Sequence, residues 1–236
     1  MRILFIVTQS EQGGAQRHVA DLAGALFSRE HDIFVAAGSP RSASSGQGSS
    51  KDSWLFQTLL HDSFHFTEDR FIYLKHLVRS IRPLSDFLAY FELRRLIRRL
   101  KPDIIHLHSS KAGILGSFAA RGLGVKVVFT AHGFVFRERM YPLLRSFYLL
   151  LERRASQYRD LIITVSEHDH RDALKHNIAP ASKLQIIHNG LDLELFNKLL
   201  GREEARRDIE RFIEAKSNLK LPASARIVGT IANLYP

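Results

Sequence analysis

Short runs of β-branched and aliphatic residues recur along this chain, each followed by a stretch whose apolar residues repeat at helical spacing. No other feature constrains the fold as much. The runs are 2–7 (RILFIV), 33–37 (IFVAA), 104–108 (IIHLH), 125–130 (VKVVFT), 161–165 (LIITV) and 184–188 (LQIIH). Several are apolar almost throughout, as strands covered on both faces must be. Between them, Val19, Leu22, Ala23 and Leu26 form an i, i+3, i+4, i+7 stripe, and Leu93, Leu96, Ile97 and Leu100 form another. Strand alternating with helix predicts an α/β fold: a doubly wound, mostly parallel sheet with helices on both faces.

Composition narrows the classes of partner. The chain has 236 residues and no cysteine, which excludes disulfides and thiolate metal sites. No apolar run approaches the roughly 18 residues of a membrane span, and the opening MRILFIVTQ reads as a buried strand rather than a leader. With 34 Lys and Arg against 24 Asp and Glu, the formal net charge of +10 favours a polyanionic partner: nucleic acid, an anionic membrane surface or phosphorylated ligands. Residues 39–53 are Ser/Gly-rich and predict a mobile loop. The expected organisation is a domain over 1–200, a charged linker helix over 201–222, and at 223–236 the truncated start of a second domain.

In an open α/β sheet, ligands gather outside the carboxyl ends of the strands. The first strand is followed there by Gly13-Gly14, opening a helix whose free N–H groups attract anions. Either a tight turn or a ligand lying against bare backbone explains two adjacent glycines. The third strand is followed by Ser109, Ser110 and Lys111, the fourth by His132-Gly133, the fifth by Ser166 and the sixth by Asn189-Gly190. Ser166 also reads as a helix N-cap, and Asn189-Gly190 as a plain turn. His106 and His108 share one strand face, but with no thiolate and no nearby carboxylate pair a metal site is not expected. G-x-G-x-x-G is absent, and no acid ends the second strand for a ribose.

Taken together, GGAQRHVADLAGAL, KPDIIHLHSSKAGILGSFAAR, VVFTAHGF, LIITVSE and IIHNGLDLELF resemble, in order and spacing, the N-terminal domain of a GT-B-fold glycosyltransferase of family 4. The HSSKAG and TAHGF wording is similar to members that build bacterial surface polysaccharides on a lipid-diphosphate carrier. The resemblance implies a Rossmann-like half of the GT-B fold and retaining transfer from a nucleotide sugar to a polyprenyl-diphosphate-linked acceptor. It places His132 against the donor sugar as the catalytic position, and Gly13, Gly14, Ser166 and Asn189 toward donor and diphosphate. Gln16, Ser109, Ser110 and Lys111 would face the acceptor. It implies no cofactor and no metal. No two glutamates stand eight positions apart, as the family's donor-binding pair would, and VGTIANLYP at the end departs from the family's usual second-domain opening, so the donor is not readable.

Two rival readings remain at this level: a non-catalytic basic domain that captures a polyanion, and half of a nucleotide-sugar 2-epimerase, which shares the fold. No recognised motif supports nucleic acid as the ligand. The expected location is cytoplasmic, peripheral on the inner face of a bacterial plasma membrane. Basic Arg79, Arg82, Arg94, Arg95, Arg98, Arg99 and Lys101, beside apolar Phe71, Ile72, Tyr73 and Leu77, are expected to form the membrane contact.

Overall fold

A computed structural model describes residues 1–38, 53–61, 66–190, 199–217, 219–222 and 224–228. The expected loop at 39–53 therefore lies outside the described residues except for Ser53. Among the described residues seven strands form one sheet: β1 (Arg2–Val7), β2 (Asp32–Gly38), β3 (Phe71–Leu74), β4 (Ile104–His108), β5 (Lys126–Ala131), β6 (Leu161–Thr164) and β7 (Leu184–Ile186). Their order is β3-β2-β1-β4-β5-β6-β7, and every pairing is parallel. The chain leaves β1 toward one edge, then crosses back to β4 and runs to the other edge. The switch in direction falls between β1 and β4.

Helices cover both faces, and β1 shows why its sequence is apolar without alternation. Leu4 and Ile6 point into one core, while Ile3, Phe5 and Val7 point into the other. Helices α1 (Gly14–Phe27) and α2 (Trp54–His61) close the second of these, through Val19, Ala23, Leu55 and Leu59. On the opposite face lie α3 (Pro83–Leu100) and α4 (Ser110–Ala120), which bring Leu93, Leu96, Ala112 and Ala119, and then α5 (Pro142–Ser156), packed beside α4. The next helix, α6 (Glu167–Lys175), joins β6 to β7. Gly38 at the end of β2 is a steric necessity. A Cβ there would meet the carbonyl oxygens of Leu77 and Thr8 at 2.1 and 2.2 Å.

The chain divides into two compact units, Met1–Asn189 and Gly190–Pro236. In the second, α7 (Arg202–Ser217) buries no residue among those described, and Arg206 bonds the carbonyls of Ala225 and Pro222 at 2.9 and 3.1 Å. The expected strands agree with the observed ones to within two residues at either end, except that β3 was not expected. Three of its residues, Phe71, Ile72 and Tyr73, are among those expected in the membrane contact. Phe71 is 7% exposed and Leu77 fully buried, so both belong to the core, because the FIYL run pairs with β2.

A buried ion pair ties α5 to the sheet. Arg159 and Glu152 are both fully buried and meet at 2.8 Å. The Arg159 guanidinium also donates to Ser117 Oγ on α4 at 3.0 Å and lies 4.0 Å from the Phe129 ring centre on β5. Removing one partner of such a pair strands the other charge in the core, which costs about 3–5 kcal/mol. Glu152→Gln is accordingly expected to lower unfolding free energy by about that amount. Glu152→Leu combined with Arg159→Met should recover most of it. Urea titration of the three proteins checks both, and a Glu152→Gln midpoint equal to wild type would contradict the first.

Candidate functional site

The carboxyl ends of β1, β4 and β5 lie level, because Val7 pairs with His108 and His108 with Thr130. The loops beyond them are tied together. Thr8 donates its N–H to Ser109 Oγ at 3.2 Å, their hydroxyls meet at 2.5 Å, and Ala112 N–H donates to Thr8 Oγ1 at 3.1 Å. These bonds hold Ser109 at φ +69°, a conformation that costs an L-residue about 1–3 kcal/mol. Ser109 thus serves the loop itself, and Ser110 beside it opens α4, half-buried.

Above this floor four imidazoles come together. His106 and His108 stand on the β4 face that carries Phe5, His132 follows β5, and His18 reaches over from α1. His108 Nδ1 is 3.1 Å from His132 Nε2, the His18 and His132 ring centres are 5.0 Å apart, and His106 Nε2 meets Thr130 Oγ1 at 2.7 Å. Asn189 bonds His18. Burial drives every one of these histidines toward the neutral form: His132 down to about 4, His106 to about 3, His108 well below its ordinary value, and His18 below its own. Neighbouring rings add to the effect, since no two can be charged together.

The tautomers follow. His108 Nε2 is buried without a partner. A buried lone pair without a donor is less unfavourable than a buried N–H without an acceptor. His108 therefore carries its proton on Nδ1 and donates it to His132 Nε2. That fixes the His132 proton on Nδ1, so His132 offers one uncharged N–H donor beyond the pair.

His18, His108 and His132 present nitrogens within 4.8 Å of one another, a spacing that could admit a divalent ion. Three neutral imidazoles can hold zinc without a carboxylate. Here His108 Nδ1 and His132 Nε2 bond each other, so His108 Nε2 and His132 Nδ1 are the nitrogens that the pair leaves over.

Gly13 is the N-cap residue of α1 and has no side-chain cap, and the first turn carries no acid. Its φ of −179° is ordinary extended backbone, and a Cβ on Gly14 would meet nothing within 4 Å. Neither glycine is demanded by conformation, and Gly14 is not demanded by crowding from the protein. Gln16 closes the loop behind them through the Gln9 carbonyl at 3.1 Å.

Two other expected residues are committed elsewhere. Lys111 pairs with Asp86 on α3 at 2.7 Å and also donates to the Ser80 carbonyl, so its ammonium fastens α4 to α3 instead of standing free. Ser166 caps α6, accepting from Asp169 N–H at 3.1 Å and donating to the Asp169 carboxylate at 2.6 Å. His18 had not been singled out. It sits four residues beyond Gly14, one turn into α1, and that spacing was the available signal.

With this geometry in place, comparison with known proteins is specific. Residues 12–195 match the profile of Glycosyltransferase Family 4. Over 141 residues the chain is 33% identical to the Escherichia coli UDP-Gal:alpha-D-GlcNAc-diphosphoundecaprenol alpha-1,3-galactosyltransferase, covering 59% of this chain and 36% of that one. The Anabaena protein HepE, solved in complex with UDP and glucose, superposes with a TM-score of 0.62 at 18% identity, over 91% of this chain and 50% of that one. UDP-N-acetylglucosamine 2-epimerase from Rickettsia bellii shares the fold with a TM-score of 0.56 at 14% identity, over 93% of this chain and 52% of that one. The chain thus spans a third to a half of the length of these proteins.

The neutral histidines make stability depend on pH. Below an unfolded-state value of about 6.5 the unfolded chain takes up protons that the folded site refuses, so stability falls as pH falls. The loss continues toward about 4 for His132 and about 3 for His106. Between about pH 6.5 and 5, above the carboxylate range, the urea midpoint is expected to drop, and His106→Gln to drop less. Equal slopes for the two proteins would show that His106 contributes nothing.

Proposed function

The chain belongs to glycosyltransferase family 4, and on that premise we propose that it is the acceptor-side half of a retaining transferase that moves a sugar from a nucleotide diphosphate to a lipid-diphosphate-linked glycan. One observation carries the reading: a paired glycine at an uncapped helix N-terminus, with open space over Gly14, beside the His18–His132 cluster. Glycine is needed where a ligand comes against backbone, and the α1 amides and dipole favour an anion there. The E. coli relative is named for a UDP-sugar donor and a diphosphoundecaprenol acceptor, and the Anabaena neighbour holds UDP. Both favour uridine diphosphate as the leaving group.

In this reading the bond from the sugar's anomeric carbon to the β-phosphate oxygen breaks. The acceptor oxygen bonds to that carbon from the same face, and the acceptor proton passes to the departing phosphate. The α1 amides stabilise the charge that develops on the diphosphate. His132 donates Nδ1–H to the donor sugar and takes no proton, because its value near 4 leaves it neutral at working pH. No metal takes part. In this reading the remaining grip on the nucleotide comes from a second domain, and residues 1–236 assayed alone are expected to show no transfer.

The test is an assay of the full-length protein with labelled UDP-sugars and an undecaprenyl-diphosphate-linked acceptor. Acceptor-dependent transfer with retained anomeric configuration is expected, and a chelator should not reduce it. Epimerisation of UDP-N-acetylglucosamine without acceptor would instead establish the epimerase reading.

Two substitutions probe the site. Gly14→Ala should hold or raise stability by about 0.5–1 kcal/mol, since the protein leaves room for the methyl group. It should nonetheless lower kcat/KM by about tenfold or more, and unchanged kinetics would remove the diphosphate from α1. His132→Ala should lower kcat by about a hundredfold, the usual effect of losing one preorganised donor.

A further inference from the structure

The layer formed by α3, α4 and α5 has an outer face unlike that of an ordinary covering helix layer. Along α3 the outward stripe reads Leu84, Phe87 and Phe91, which are 73%, 61% and 50% exposed, and then Arg95, Arg98 and Arg99. On α5 the same order returns: Leu143, Phe147 and Leu150 at 87%, 50% and 50%, then Arg154. Each helix starts on a proline, is apolar on the outside of its first half and is basic on the outside of its second. Exposed apolar residues scattered singly are unremarked on most proteins, but here they follow helical spacing on two helices of one layer.

Between these rails α4 is recessed and has no exposed residue. The trough above it holds a cavity of about 430 Å³ lined by Phe87, Tyr90, Leu115 and Phe118 with Asp86 and Arg121. Packed helix axes lie about 8–10 Å apart, so the two rails stand about 16–20 Å from each other. Each rail is about 20–27 Å long.

Charge settles the kind of partner. The acids within α3 and α5 are Asp86, Glu92 and Glu152. All three are turned inward and engaged: Asp86 by Lys111, Glu92 by the N–H groups of Lys75 and His76, Glu152 by Arg159. The outward charges left on the two helices are arginines. Just before α5 in the chain, exposed Glu138 stands between Arg137 and Arg139. We propose that this face docks on an anionic lipid bilayer, with the apolar halves of α3 and α5 set into the interface and the arginines on lipid phosphates.

The orientation follows from topology. In a parallel sheet each crossover helix runs back against the strands, so the N-terminal halves of α3 and α5 lie toward the strands' carboxyl edge. His132 and the α1 N-terminus lie at that same edge. Side-on docking therefore brings the rim of the site to the bilayer, where a lipid-carried acceptor resides. That last link rests on the function proposed above, whereas the docking face does not. It also replaces the contact expected from sequence, since Phe71 and Leu77 are core residues and Arg94 is held by the carbonyls of Ala119 and Arg121.

The experiment is sedimentation of the full-length protein with vesicles of phosphatidylcholine alone, or with about one third phosphatidylglycerol, at low and high salt. Wild type is expected to prefer anionic vesicles and to lose most of that preference in high salt. Phe87→Ser with Phe147→Ser should weaken binding about tenfold or more, and Arg95→Glu with Arg99→Glu should abolish the anionic preference. Circular dichroism confirms that the variants fold. Vesicle binding unchanged in both pairs overturns the proposal, as does equal binding to the two vesicle types. If the serine pair turns a dimer into a monomer and leaves vesicle binding intact, the face belongs to a second copy. A water-soluble short-chain diphosphate acceptor separates this proposal from the functional one. The serine pair should transfer to it at the wild-type rate and fail with acceptor embedded in vesicles. Wild type inactive on both acceptors, with the predicted vesicle pattern intact, would sink the transferase reading alone.

Discussion

The register of β1 against β4 is the constraint on which the site depends. The two strands begin crossovers that leave in opposite directions, so no helix lies directly over the gap between their carboxyl ends. Pairing Val7 with His108 brings Thr8 level with Ser109, and two hydroxyls and two amides close the joint. A slip of one residue would carry His108 to the opposite sheet face, away from α1. The positive φ at Ser109 persists because the Thr8 bonds over-determine it. Strain at this rim of the sheet is held by one of its central pairings.

That register also sets the chemistry of the histidines. On the face under α1, β1 contributes Phe5 and Val7 to the core, and at the matching positions β4 contributes His106 and His108. Imidazoles in an apolar layer must find partners or stay uncharged, and these do both. Thr130 satisfies His106, and His132 satisfies one nitrogen of His108. The outcome is a site rim that offers hydrogen-bond donors and lone pairs without a fixed positive charge. His132, the ring expected against the donor sugar, is a poor proton acceptor at neutral pH, because its conjugate acid is destabilised by burial and by His18.

Much of this was legible in the sequence, and the rest was hidden for identifiable reasons. Continuous apolar runs revealed β1, β4 and β5, since strands buried on both faces leave no ambiguity of side. β3 was missed because FIYL is four residues long, aromatic and next to a charged segment, which reads equally well as a surface patch. The placement of His132, Gly13 and Gly14 at the carboxyl edge was readable from their position after strands. Lys111 and Ser166 were found by the same rule and turned out to be engaged locally, because the rule locates an edge and says nothing of competing partners. Asp86 lies 25 residues before Lys111, and no periodicity links them. Glu152 and Arg159 are likewise an ordinary charged helix end until burial makes them a pair.

Charge is distributed in a way that unites the two surfaces. Backbone amides at α1 carry no net charge, so they can lie at a partly buried rim without the desolvation penalty that a lysine would face there. They are also already oriented, so in the proposed reaction no side chain need reorganise as negative charge grows on the leaving diphosphate. The chain's cationic excess is then free to sit outside, and on α3 and α5 it does so as arginine, whose weakly hydrated guanidinium suits phosphate at an interface. Salt in solution screens exposed charges separated by more than about 8 Å and acts far less on partly buried dipoles. Such an arrangement would let ionic conditions tune the proposed docking while the forces at the α1 rim stay nearly constant.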